Sequence, residues 1–99
     1  MENTTQSDAA GAKYSFLLFV SGMSQKSGNA IENLRRICDD HLDGDFTLEI
    51  IDIGAQKQAA LEYEIIGIPT LIKISPNPKR IILGDLSDKE KVLRILDIK

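Results

Sequence analysis

The fold is decided by residues 64–74, EIIGIPTLIKI, where a proline stands directly before an apolar run. Pro69 has no backbone N–H, so it is tolerated as the first residue of a strand and is unfavourable inside one. The run that follows, residues 70–74, is therefore predicted to be a strand that opens just after Pro69. We expect the bond between Ile68 and Pro69 to be cis, a form uncommon enough that it usually marks a deliberate turn.

The sequence on either side of this strand predicts three more strands and two helices. The apolar or alternating segments that favour strands are residues 14–20, 46–53 and 79–83. A helical pattern connects the first two and carries Ile31, Leu34, Cys38 and Leu42 at helical spacing. Asn29 and Glu32 could form its capping box, with Ser24 or Ser27 as alternative caps, and Gly44 is a reasonable stop. Residues 55–65 favour a second helix, on which Leu61 and Ile65 lie four residues apart.

A third helix is indicated by Ser87 and Glu90, which match the S-x-x-E capping box and predict a helix that starts at Asp88. Its apolar stripe consists of Val92, Leu93 and Leu96, broadened by Ile95.

The resulting order is β-α-β-α-β-β-α. The first crossover must be parallel and right-handed, whereas the turn at residues 75–78, SPNP, makes the last two strands an antiparallel hairpin. A mixed four-stranded sheet covered by three helices predicts an α/β domain of thioredoxin-like fold. We expect one domain over residues 14–99, preceded by a disordered polar leader at residues 1–13.

Composition excludes several classes of function. The formal charge of −3 argues against a nucleic-acid-binding protein, which would normally show a basic face. Residues 1–13 lack the apolar region of a signal peptide, and no apolar run is long enough to span a membrane. Cys38 is the only cysteine, so no intramolecular disulfide can form, which fits a reducing, cytoplasmic location.

The chemistry of a redox enzyme is missing from the place where a thioredoxin-like fold would carry it. Residues 20–27, between the first strand and first helix, contain no cysteine, so the Cys-x-x-Cys pair is absent. Cys38 lies further on, on the apolar stripe, where a thiol is usually an inert small hydrophobe. We therefore expect no thiol-disulfide exchange, no obvious nucleophile for glutathione transfer and no catalytic residues.

Residues 39–45, DDHLDGD, are the one cluster that resembles a metal site. They begin like a calcium loop, but His41 replaces the third-position carboxylate and Ile50 falls where the bidentate glutamate should be. We interpret the segment as a solvated helix end. The Gly-x-x-x-x-Gly-Lys motif is absent as well, so neither a metal nor a nucleotide cofactor is expected.

Several segments together resemble the circadian clock protein KaiB family. The most specific is Gly84-Asp85-Leu86-Ser87 followed by Glu90-Lys91-Val92-Leu93, and the second is Pro69-Thr70-Leu71 with Lys73. The others are Tyr14 with Leu18-Phe19-Val20-Ser21-Gly22, Ile51-Asp52 and Arg80-Ile81-Ile82. The resemblance extends from about Tyr14 to Asp97. The chain departs from clock members at Leu17 and Glu49, where they commonly have lysine, and at Ile95, where they have glycine.

The resemblance implies a non-enzymatic protein that binds the ATPase ring of a KaiC-type ATPase/kinase and brings in further clock proteins. It also implies that the chain can switch between the thioredoxin-like form, expected to be monomeric, and a ground-state form, often a homo-oligomer. The expected partner surface comprises Gln58, Glu62, Lys73 and Arg80. Pro69, Ser87, Glu90 and Ile95 are the residues expected to select the thioredoxin-like fold. The alternative function is a sensor module of the kind found in clock-output histidine kinases, which binds the same ATPase.

Overall fold

A computed structural model describes residues 12–22 and 24–98, so most of the predicted leader lies outside the described residues. The elements are β1 (Tyr14–Val20), α1 (Gln25–His41), β2 (Phe46–Asp52), α2 (Lys57–Glu62), β3 (Thr70–Ser75), β4 (Arg80–Leu83) and α3 (Lys89–Leu96). Their order and type confirm the predicted arrangement. The Ile68–Pro69 bond is cis, as expected, and the two proline bonds of the turn between β3 and β4 are cis as well.

The sheet has the strand order β2-β1-β3-β4. β1 runs parallel to β2 and antiparallel to β3, and β4 returns antiparallel to β3. In the register, Leu18 lies opposite Leu71, which in turn lies opposite Ile82. These three residues therefore share one face of the sheet, and the residues that alternate with them share the other.

The two faces are covered unequally. The first face packs against α1 and α3 and forms the main core, whose members are Phe16, Leu18, Val20, Ala30, Leu34, Ile37, Cys38, Leu42, Leu48, Leu71, Ile82, Leu86, Val92, Leu96 and Ile98. The buried apolar cluster of the second face consists of Phe19, Ile51 and Ile72 among the described residues, with half-buried neighbours that include Ala59 and Ile65. α2 has six residues, and none of them is fully buried. The second face is therefore only partly covered within the described chain.

The N-cap of α1 is Ser24, one of the two alternative serine caps, and not Asn29. The Ser27 N–H donates to Oγ of Ser24 (3.1 Å), and Oγ of Ser27 accepts from the Ser21 N–H (2.9 Å). The first bond satisfies a donor that a helix N-terminus leaves free, and the second joins the end of β1 to the first turn of the helix. At the other end the chain leaves the helix through Gly44, whose φ of +82° suits a glycine.

α2 is shorter than the helix predicted over residues 55–65. It ends at Glu62, and Glu64 adopts a left-handed conformation with φ of +54°. This turn directs Ile65 inward, where it packs against the second core, and leads the chain toward Pro69. Leu61, which lies four residues before Ile65 in the predicted helix, is exposed. Their spacing of four residues does not place them on one helical face, because α2 ends at Glu62, between the two residues.

The cap of α3 lies one residue later than predicted. Asp88 is the cap residue, its Oδ1 accepting from the Lys91 N–H (3.1 Å), and the helix begins at Lys89. The Ser87 N–H donates instead to Oδ1 of Asp85 (3.1 Å), in the preceding turn. Glu90 is an acidic residue of the first turn and not the partner of a serine cap. An aspartate is favoured here because its carboxylate also interacts with the positive end of the helix dipole.

The apolar stripe predicted on α3 is confirmed. Val92 and Leu96 are buried, and Leu93 and Ile95 are half-buried against the main core.

Replacing the observed cap should cost more stability than replacing the predicted one. We expect Asp88→Ala to lower the free energy of unfolding by about 1 kcal/mol. Ser87→Ala should change it by less than about 0.5 kcal/mol, the usual range for a surface substitution. Urea unfolding of both variants measures this difference. An equal loss in the two variants would contradict the assignment of Asp88 as the cap.

Candidate partner-binding surface

The incompletely covered face carries a group of exposed apolar side chains beside β4. Tyr63, Ile66, Ile81 and Leu83 line one cavity beside β4, and Leu61 is exposed near the end of α2, two residues before Tyr63. Their exposed fractions range from 39% for Tyr63 to 87% for Ile66. We call these five residues the apolar surface. Single exposed apolar residues are ordinary, but a group of them on one side of a small domain is typical of an interaction site.

The short α2 is what places these residues together. The Tyr63 ring lies against Phe19, with 5.5 Å between the ring centroids, so one side of this tyrosine belongs to the second core. Past the turn at Glu64, Ile65 points inward and Ile66 outward. A cavity of about 130 Å³, which we call the groove, lies between this segment and β4. It is lined by Tyr63, Glu64, Ile65, Ile66, Thr70, Ile72, Ile81 and Leu83. The lining is apolar except for Thr70 and one charged residue, Glu64.

Two of the four predicted partner-binding residues lie beside this surface. Gln58 and Glu62 are exposed on α2, the helix that supplies Leu61. Arg80 is exposed at the start of β4, but in the register it lies opposite Lys73, on the face that α3 covers. One of its guanidinium nitrogens is 3.8 Å from a carboxylate oxygen of Asp97, just past the end of α3. Arg80 can therefore contribute only at the edge of the sheet.

The fourth predicted residue, Lys73, is not on the surface. Its side chain is fully buried on the first face, and its Nζ donates to the backbone carbonyl of Leu96 (3.1 Å). The last carbonyls of a helix have no partner within the helix and carry the negative end of its dipole, so an ammonium group is favoured there. Lys73 is therefore a structural residue in this fold. The alternation with Leu71 could have indicated it, since both residues share the core-facing side of β3.

The apolar surface itself was not among the residues predicted from the sequence. One signal could have found part of it. With Ile82 facing the main core, Ile81 and Leu83 must face the other way, toward a side that has only one short helix. The exposure of Leu61 and Ile66 depends on where α2 ends, which the sequence pattern misjudged.

Cys38 cannot supply a reactive thiol in this fold. It is fully buried in the main core, and burial, followed by the neighbouring Asp39 carboxylate, raises the pKa of the Cys38 thiol to about 12. The thiol therefore stays protonated near neutral pH, and only the thiolate is an effective nucleophile.

The described residues carry neither a metal cluster nor a membrane-spanning helix. No group of three or more histidine, cysteine, aspartate or glutamate side chains there could hold a metal ion. Within residues 12–22 and 24–98, no helix has the length and apolar character to cross a membrane.

The chain is similar to clock proteins over most of its length. The KaiB domain family matches residues 17–98. Over 90 residues, 91% of this chain and 86% of the relative, it is 44% identical to the circadian clock oscillator protein KaiB of Prochlorococcus marinus strain MIT 9312. It is 47% identical to the circadian clock protein KaiB3 of Synechocystis sp. over 81 residues, 82% of this chain and 79% of the relative.

Two solved structures show the same fold at low identity. The N-terminal domain of SasA from Synechococcus elongatus superposes with a TM-score of 0.70 and 21% identity, over 97% of this chain and 94% of that domain. A thioredoxin from Fasciola hepatica gives a TM-score of 0.70 and 13% identity, over 89% and 83% of the two chains. At these identities the likeness shows the thioredoxin-like fold alone.

The buried thiol should be inert in the folded protein. We expect iodoacetamide at pH 8 to alkylate Cys38 about 1000-fold more slowly in the native chain than in the unfolded chain, from the difference between a pKa of about 12 and the ordinary value of 9.0. Mass spectrometry follows the modification. An Asn29→Cys variant provides an exposed thiol in the same molecule as the control. Modification of Cys38 at the rate of that control would contradict the burial argument.

Proposed function

The chain belongs to the KaiB family, and on that premise we propose that it is a non-enzymatic clock-type protein that docks through its apolar surface onto the ATPase ring of a KaiC-type ATPase/kinase. The observation that carries the proposal is the set of exposed apolar side chains beside β4. Apart from Tyr63, these side chains are more than half exposed in the monomer, and their transfer from water into an interface would be favourable.

Polar residues around the apolar surface supply the specificity of the proposed contact. Glu62 and Gln58 form its rim on α2, and Glu64 lines the groove. Rim charges of this kind steer association and select partners more than they add affinity. Arg80 joins the contact if the ring reaches past the edge of β4. Lys73 takes no part, because its ammonium is engaged inside the domain.

The alternative, a sensor module of a clock-output histidine kinase, has weaker support. The chain has the fold of the SasA N-terminal domain, but it shares only 21% identity with that domain, against 44% with the Prochlorococcus KaiB. The higher identity favours a KaiB-type role. We propose further that the thioredoxin-like form acts as a cytoplasmic monomer, recruits other clock proteins once on the ring, and forms a homo-oligomer only in the ground-state fold.

The docking proposal is tested by placing a charge on the apolar surface. We expect Ile66→Glu to weaken binding to a KaiC-type ring, with ATP or ADP present, by at least about tenfold, since burying an isoleucine contributes about 1.5–3 kcal/mol. Ile66 is largely exposed, so the circular dichroism spectrum should not change. Biolayer interferometry measures the affinity.

Asn29→Glu is the matched control for this experiment. It adds the same charge on the exposed side of α1, away from the apolar surface, and should bind as the wild type does. Unchanged ring binding by both Ile66→Glu and Leu61→Glu would contradict docking through the apolar surface.

The preference for the thioredoxin-like form is tested at Ile95. We expect Ile95→Gly to destabilise the domain by about 1 kcal/mol more than Ile95→Ala, because both lose the half-buried side chain but only glycine also weakens the helix. Backbone chemical shifts of residues 89–96 should show a smaller helical population in the glycine variant alone. Equal effects of the two substitutions would mean that helix propensity at this position does not select the fold.

A further inference from the structure

β4 is an open edge of the sheet, and its hydrogen-bonding pattern shows which residues face outward. It is last in the order β2-β1-β3-β4. The Gly84 N–H donates to the Pro69 carbonyl (2.9 Å), so this pair belongs to the hydrogen-bonded set of the antiparallel ladder. Such pairs alternate with non-bonded ones, which makes Ile82 and Arg80 the residues that bond to β3. The N–H and C=O groups of Ile81 and Leu83 therefore point away from β3.

The same two residues also present their side chains to solvent. Ile81 and Leu83 are each more than half exposed, on the second face, where they form one wall of the groove opposite Ile66. Neither residue makes a further backbone hydrogen bond within the described chain. An edge with free backbone groups and exposed apolar side chains is a template for pairing with another strand.

The charge of the groove indicates what kind of strand would fit. Glu64 is its only charged lining residue, is exposed, and forms no ion pair with any residue from 12 to 22 or from 24 to 98. A basic side chain on the incoming segment would complement it, and an acidic one would be repelled.

We propose that β4 accepts an extended segment of a partner protein as an added fifth strand. Backbone groups of the segment pair with Ile81 and Leu83, its alternate apolar side chains pack over the apolar surface, and a basic side chain at its end meets Glu64. In this mode of recognition the main-chain bonds provide affinity and the alternate side-chain contacts provide specificity. The segment covers the same apolar surface that we propose for ring docking, so the two partners compete for it, and strand addition does not depend on ring docking.

The test uses a seven-residue peptide, acetylated and amidated, that alternates valine and threonine and carries lysine at both ends. Titrated into the labelled protein, it should shift the amide resonances of Ile81, Leu83 and Glu64. Ile81→Pro removes an outward N–H without touching the bonds to β3, and Ile81→Ala removes the apolar side chain but keeps the N–H. We expect Ile81→Pro to bind the peptide about fivefold more weakly than Ile81→Ala, the loss of one hydrogen bond.

Slow hydrogen exchange of the Ile82 amide shows that the ladder between β3 and β4 remains intact in the proline variant. Equal binding by Ile81→Pro and Ile81→Ala would overturn strand addition, and so would the absence of shifts at residues 81–83 with millimolar peptide. Concentration-dependent shifts of these amides in the protein alone would mean that a second copy is the occupant, which also overturns the proposal.

A second pair of measurements tests the charge. The same peptide with glutamate at both ends should bind the wild type more weakly than the lysine form, and Glu64→Lys should reverse that preference. Asp40→Lys, an equal charge change on exposed α1, should leave the preference as it is in the wild type. If Glu64→Lys keeps the wild-type preference, Glu64 does not select the segment and the proposed occupant is wrong.

Discussion

The arrangement of this domain depends on one buried hydrogen bond, from the Lys73 ammonium to the carbonyl of Leu96. A buried ammonium is costly unless it is paired, and the free carbonyls at the end of α3 are partners of the right sign. The bond therefore fixes the end of α3 over the centre of β3. The nearby pair between Arg80 and Asp97, at 3.8 Å and partly exposed, adds little energy but joins β4 to the end of α3 at the surface.

With α3 fixed in this way, two of the three helices, α1 and α3, lie on one face of the sheet. α1 and α3 enclose nearly the whole main core, and the second face is left with the six residues of α2. Of the partly buried apolar residues packed against Phe19, Ile51 and Ile72, α2 supplies Ala59, and the others lie on strands and loops. The apolar surface thus follows from an unequal division of helices, together with the left-handed turn at Glu64 that directs Ile66 outward.

Local chemistry made much of this structure predictable from the sequence. Pro69 marks the start of β3, the SPNP turn sets the antiparallel hairpin, and Cys38 falls on the buried stripe of α1. Two of the failures depend on contacts between distant segments. The end of α2 is set by the need to bury Ile65, and the role of Lys73 appears only when α3 packs over it.

Stability and recognition therefore rest on different residues of neighbouring strands. Along β3 and β4, one set of alternating side chains faces α3 and holds the core together, with Lys73 and Ile82 as members. The other set faces the thinly covered side, where Ile81 and Leu83 remain exposed. Because the period of a strand is two, a substitution at an exposed position can alter binding while the adjacent core residue keeps its contacts. The fold can hold its main core constant while the surface beside β4 is adapted to a partner.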